Sequence, residues 1–120
     1  MIEISNLSKH FFIGEKRIDV LRELSLNIKK DKITVILGRS GCGKTTLLKM
    51  VNRMVTPSSG RVLIDEVDVA QQDPISLRRS IGYVLQSGGL LPQLTVEANI
   101  NTIRRLLGAP ASSDHIHHVL

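Results

Sequence analysis

The segment that most constrains this chain is Gly38-Arg39-Ser40-Gly41-Cys42-Gly43-Lys44-Thr45, because of what stands on either side of it. Upstream runs Ile33-Thr34-Val35-Ile36-Leu37, a short, mostly β-branched apolar stretch of the kind that becomes a strand buried on both faces of a parallel sheet. Downstream, Lys44 to Met54 places Leu47, Leu48, Val51 and Met54 at helical spacing, until Pro57-Ser58-Ser59-Gly60 breaks the pattern. Strand, glycine turn and amphipathic helix in direct succession predict an α/β core in which a parallel sheet carries flanking helices.

The loop matches G-x-x-x-x-G-K-[ST] through Gly38, Gly43, Lys44 and Thr45. Glycines let successive backbone N–H groups turn inward without side-chain clashes, so Gly38, Ser40, Gly41, Cys42 and Gly43 form a concave nest for phosphate oxygens at the positive end of the following helix. Lys44 is placed to neutralise β and γ phosphates, the Thr45 hydroxyl to meet a Mg²⁺ ion, and Thr46 to make a further backbone-level contact. The expected ligand is a nucleoside triphosphate, ATP, with Mg²⁺; the bland alternative is a glycine-rich turn beside an exposed lysine. Cys42 is the single cysteine. It either fills space in the loop or is a thiol whose alkylation blocks nucleotide binding, with ATP protecting it.

Elsewhere, Ile2 to Ser5 and Val20 to Ile28 alternate as half-buried antiparallel strands around a turn at Gly14-Glu15-Lys16. Gly60 to Val69 reads as a further strand or hairpin, and Asp73-Pro74 starts a short helical turn through Leu77. Ile81 to Leu85 reads as a strand ending at Gln86, and Ser87-Gly88-Gly89 as a loop. Thr95 caps a helix to about Leu107, closed by Gly108 and Pro110, and Ser113 or Asp114 starts another that stops at Leu120.

Composition excludes several classes. With 120 residues, 42% hydrophobic and 22% charged, the chain is expected to form at most one soluble globular domain. No apolar run approaches the roughly 20 residues of a membrane helix, and residues 1–6 carry no secretory pattern, so a cytoplasmic location is expected. The net charge of +5 is scattered, and Phe11, Phe12 and Tyr83 are too few to interleave a basic stripe, which speaks against nucleic acid.

Ser40-Gly-Cys-Gly-Lys-Thr-Thr46, Ile81-Gly-Tyr-Val-Leu-Gln86 and Leu94-Thr-Val-Glu-Ala-Asn-Ile100 together resemble the ATP-binding domain of ABC transporters in order and spacing. The resemblance covers essentially the whole chain but only the N-terminal part, about half, of that domain. It implies a P-loop NTPase core plus an antiparallel β subdomain, truncated before the helical subdomain is complete and before the family's signature, Walker B carboxylates and switch histidine. Asn6-Leu-Ser-Lys-His-Phe11 resembles the segment that stacks an aromatic ring on adenine, with Phe11 the candidate and Phe12 the alternate. Gln86 matches the Q-loop glutamine, which implies contact with Mg²⁺ and a water near the γ phosphate. Lys44 and Gln86 are thus the implied catalytic pair, and Thr45 and Gln86 the metal contacts.

The partners implied are a second ATP-binding subunit and transmembrane permease subunits, met through the loop from Gln86 to Gln93 at the inner face of the plasma membrane. Leu90 and Leu91 either meet that permease or tuck into the core. Met50-Val-Asn-Arg53, Pro57-Ser-Ser-Gly60, Asp73-Pro74 and Leu77-Arg-Arg79 look most like importers of osmoprotectants such as glycine betaine, carnitine and choline.

Three other features invite attention. Val62-Leu-Ile-Asp65-Glu66 resembles a Walker B strand, which would make a complete small NTPase, yet the family resemblance aligns it with an antiparallel hairpin where position 66 is usually glycine. His115, His117 and His118 could suggest metal, but only His115 and His118 share a helix face. Asp31-Lys32 stands where the family commonly has glycine before its third strand, which implies a looser turn. Either the parent is an ATPase that powers solute import, or the chain is an ATP-binding fragment without turnover.

Overall fold

The structure, a computed structural model, describes residues 1–86 and 88–110. Ser87, the three histidines of residues 115–118 and the last expected helix lie outside them. Two compact units divide at Gly82 and Tyr83, and each is described by itself.

The first unit is built on a four-stranded antiparallel sheet, β1 (Ile2–Ile13), β2 (Lys16–Ile28), β3 (Ser59–Ile64) and β4 (Val67–Asp68), in the order β2-β1-β3-β4. Both hairpin turns have two residues. Gly14 takes φ +60° at the first turn position, as a type II′ turn requires, and Asp65 and Glu66 both take positive φ, the type I′ pattern. The expected strands are therefore found, but β1 and β2 run longer than Ile2–Ser5 and Val20–Ile28. Bulges let that length bend: the β1–β2 register shifts at three places, and Asn6 and Glu23 there adopt positive φ.

α1 (Lys44–Val51) lies against this sheet. Its buried stripe is Leu47 and Met50 with Val51 alongside, whereas Leu48 and Met54, expected in the stripe, are about half exposed. The helix also stops short of Met54. Arg53 turns left-handed at φ +56°, its N–H bonds Met50 O at 3.1 Å and Met54 N–H bonds Lys49 O at 2.8 Å, the two bonds of a Schellman cap with arginine in the usual glycine position. The core joins these helix residues to Ile4, Leu7, Val62, Val69 and Leu77. Asp68 caps the 3₁₀ turn Val69–Gln71, and Asp73 caps α2 (Pro74–Ser80), accepting from Ser76 N at 2.8 Å, so the expected turn through Leu77 is longer by three residues. Those bonds hold the Asp73 carboxyl below its ordinary range.

The segment expected in a parallel sheet, Ile33–Leu37, and the strand expected at Ile81–Leu85 are different. Residues 33–37 and 81–85 form no strand ladder. Ile33, Val35 and Leu37 are 96%, 71% and 87% exposed, and only Ile36 and Ile81 reach the core. A strand buried on both faces needs neighbours to pair and cover it, and among the described residues neither segment has one. The antiparallel sheet has such partners, β1 pairing with β2 across a two-residue turn and with the distant β3 on its other edge.

In the second unit α3 (Val96–Leu106) carries the predicted caps. Thr95 Oγ1 accepts from Ala98 N, and Gly108 N and Ala109 N bond back to Arg105 O and Arg104 O at a left-handed Gly108. No helix among the described residues is long and apolar enough to cross a membrane.

Candidate nucleotide-binding site

The loop from Gly38 to Thr46 lies where chemistry and packing both demand glycine. Gly41 and Gly43 have φ +79° and +99°, a region that strains any residue with a side chain. A Cβ on Gly43 would stand 2.9 Å from Val20 Cγ1 and 3.0 Å from Val20 O, so the loop is pressed on the backbone of β2. A Cβ on Gly38 would meet Cys42 Sγ at 2.5 Å. Gly43 is the N-cap of α1, and no side chain bonds the free N–H groups of the helix's first turn. Those donors, at the positive end of the helix dipole, remain for an anion, and no acidic side chain sits in that turn to oppose one. The cradle fits a polyphosphate.

Lys44 closes the loop from inside. Its Nζ donates to Gly38 O and Arg39 O, both at 2.8 Å, and stands 3.7 Å from Cys42 Sγ. Cys42 is exposed, and its N–H bonds Arg39 O at 3.3 Å, which folds the turn. The Thr45 side is exposed and Thr46 half-buried.

The loop also meets β2 where that strand pairs with the aromatic segment of β1. Lys9 pairs with Leu21 while His10 pairs with Asp19, so Val20 is an extra residue in β2. The bulge turns both Val20 and Leu21 toward Gly43. On β1, alternation puts Leu7, Lys9 and Phe11 on one face, the face whose fully buried Leu7 belongs to the core shared with α1. Phe11 stands on that side, opposite Ile18, 41% exposed, with Lys9 Nζ 4.8 Å from its ring centroid. Phe12 points the other way, edge-on to His10 at 5.4 Å, and is 64% exposed. Between the two aromatic candidates, the strand's alternation favours Phe11.

Asp65 and Glu66 sit in the β3–β4 turn. The Asp65 carboxylate takes a hydrogen bond from the N-terminal amine, and its N–H bonds Met1 O at 2.9 Å. That ammonium holds the Asp65 carboxyl below its ordinary value. Among the described residues, no cluster of three or more His, Cys, Asp or Glu is placed to hold a metal.

Gln86 belongs to the second unit, where it is exposed, as are Leu90 and Leu91. Asn99, part of the Leu94–Ile100 motif, organises the loop that precedes α3. Its Oδ1 accepts from Leu91 N at 2.7 Å, and its Nδ2 donates to the carbonyls of Leu91, Leu94 and Thr95 at 3.0 to 3.2 Å. An asparagine four residues after the Thr95 cap was the available signal, since only an amide offers both donors and acceptor at that reach.

Comparison with known proteins accords with this geometry. The ABC transporter family model matches residues 21–120. The glycine betaine/carnitine/choline transport ATP-binding protein OpuCA of Bacillus subtilis is 43% identical over 110 residues, 92% of this chain and 28% of the relative. The osmoprotectant import ATP-binding protein OsmV of Salmonella typhimurium is 44% identical over 109 residues, 90% of this chain and 28% of that protein. This chain thus spans little more than a quarter of the length of these relatives. Among solved structures, the ATP-binding cassette MJ0796, in a dimeric post-hydrolysis state bound to ADP and Pi, superposes with a TM-score of 0.82 at 30% identity, covering 96% of this chain and 52% of that one.

Proposed function

Because this chain belongs to the ABC transporter family, we propose that it binds ATP as part of an ATPase subunit that powers import of a solute, an osmoprotectant of the quaternary-amine type. The observation that carries the reading is the Gly38–Thr46 loop, whose free helix donors, left-handed glycines and single lysine suit a triphosphate and little else. Within it Lys44 balances the β and γ phosphates, the loop N–H groups of Ser40 to Thr45 hold their oxygens, and Phe11 stacks on the adenine. Where Mg²⁺ is bound, the Thr45 hydroxyl of the first unit would contact it, and the ion would offset charge on the phosphate oxygens.

The solute class rests on relatives named for osmoprotectant, choline and carnitine transport. The exposed Leu90 and Leu91, on a loop held by Asn99, suit contact with the cytoplasmic side of permease subunits at the inner face of the membrane. The pairing of cassettes in the solved relative supports a second ATP-binding subunit as partner. The hairpin position of Asp65 and Glu66 supports assigning neither to the metal, so the 120 residues bind ATP without turning it over.

Disruption of the coding sequence in its own host tests the transport reading. Rescue of growth at high salt by glycine betaine, choline or carnitine is expected to be lost. Unimpaired rescue overturns the solute assignment.

A further inference from the structure

We propose that Lys9 is a positioning residue for the nucleotide base, holding the Phe11 ring by a cation–π contact on one face so that its other face receives the purine. The inference rests on the reading of Phe11 as the base platform. Lys9 and Phe11 are two apart on β1 and share the face that packs toward α1, and the Lys9 ammonium stands 4.8 Å from the ring centroid. Even so covered, Phe11 keeps 41% of its surface exposed.

Two physical effects follow. An ammonium over one face draws on the ring's negative quadrupole and leaves the opposite face better matched to an electron-rich purine. A ring already fixed in orientation also loses less freedom when the base arrives. Among the described residues Phe12 has no such cation, its neighbour being the edge-on His10 ring. Lys9 is half-buried on the strand, so its charge acts locally on the ring rather than as one more surface cation.

The test compares ATP with inorganic tripolyphosphate by equilibrium binding to the wild-type protein, Lys9→Gln, Lys9→Arg, Phe11→Ala and the double variant Lys9→Gln/Phe11→Ala, with circular dichroism to check that each folds. Lys9→Gln is expected to weaken ATP about twofold to fivefold, to leave tripolyphosphate unchanged, and to have no effect once Phe11 is alanine. Lys9→Arg, which keeps the cation, should bind ATP as the wild type does. Equal losses for ATP and tripolyphosphate would mean that Lys9 acts on phosphate and would overturn the proposal, as would tighter ATP binding by Lys9→Gln, which would make the lysine a competitor for the ring. If Phe11→Ala weakens ATP but Lys9→Gln does not, the platform stands and the Lys9 inference alone falls. If Phe11→Ala leaves ATP unaffected, both fall.

Discussion

The Nζ of Lys44 lies 2.8 Å from the carbonyl oxygen of Gly38, across the loop that the same lysine is placed to serve. With its second bond to Arg39 O, the ammonium ties two carbonyl groups of the turn together. On the proposed reading, nucleotide binding exchanges these bonds for phosphate contacts. Without the lysine, the empty loop loses its internal tie, so Lys44→Ala is expected to speed amide hydrogen exchange in residues 38–42 about threefold to tenfold while leaving β1 and β2 unchanged. Exchange identical to the wild type would mean that the loop holds its shape without Lys44.

Cys42 fills the space beside Gly38 that a methyl group would need, its Sγ standing where a Cβ there would approach within 2.5 Å. A maleimide on this exposed thiol places bulk in the cradle. N-ethylmaleimide is expected to lower ATP affinity by at least about tenfold, with ATP slowing the modification. Gly38→Ala should impair binding by itself, and Cys42→Ala in the same chain should restore part of it by vacating the sulfur's place. Normal ATP binding by fully alkylated protein would remove Cys42 from the site.

Gly60, the second residue of β3, has φ +79°, and a Cβ there would lie 2.3 Å from the backbone oxygen of Asn6. Nothing flexible can give way, because the atoms it would meet belong to the main chain of β1. Gly60→Ala is expected to cost about 3 kcal/mol of stability by chemical denaturation. A loss under about 0.5 kcal/mol would show that β1 relaxes freely at its Asn6 bulge.

Asp65 and the N-terminal amine make a pH-sensitive pair. Its carboxyl is lowered from the ordinary 3.8, mainly by the hydrogen bond from the amine. A group whose folded value is depressed adds stability above its unfolded value and loses it as the pH falls through the folded one. The melting temperature of the wild type is therefore expected to fall more steeply below pH 3.8 than that of Asp65→Asn, with ATP binding at neutral pH equal in the two. Loss of nucleotide binding in Asp65→Asn would instead make Asp65 a ligand of the site.

Legibility followed the range of the interactions. The glycine turn that leads from Gly38 into α1, the Asp73 and Thr95 caps and the Gly108 stop were readable because each is settled by residues within a few positions, and the structure has every one of them. Asp31 shows the same in a departure: it adopts φ +56° at the turn where the family commonly has glycine. The helix end at Val51 was misread because the apolar spacing continues to Met54, while the Schellman bonds at Arg53, invisible in the pattern, end it sooner. Ile33–Leu37 and Ile81–Leu85 have strand-like composition, but a ladder needs partners, and sequence pattern alone does not supply them. Phe11 and Phe12 were separable only with the register in hand, since a bulge at Val20 decides which face meets Gly43.

The most direct test of the account is a titration of the 120-residue chain with ATP and Mg²⁺, beside Lys44→Ala, read both as binding and as phosphate release. The account predicts saturable binding that Lys44→Ala weakens by at least about tenfold, with no phosphate released by either chain. Equal affinity in the two chains, or steady phosphate release by the wild type that Asp65→Asn or Glu66→Gln abolishes, would contradict it.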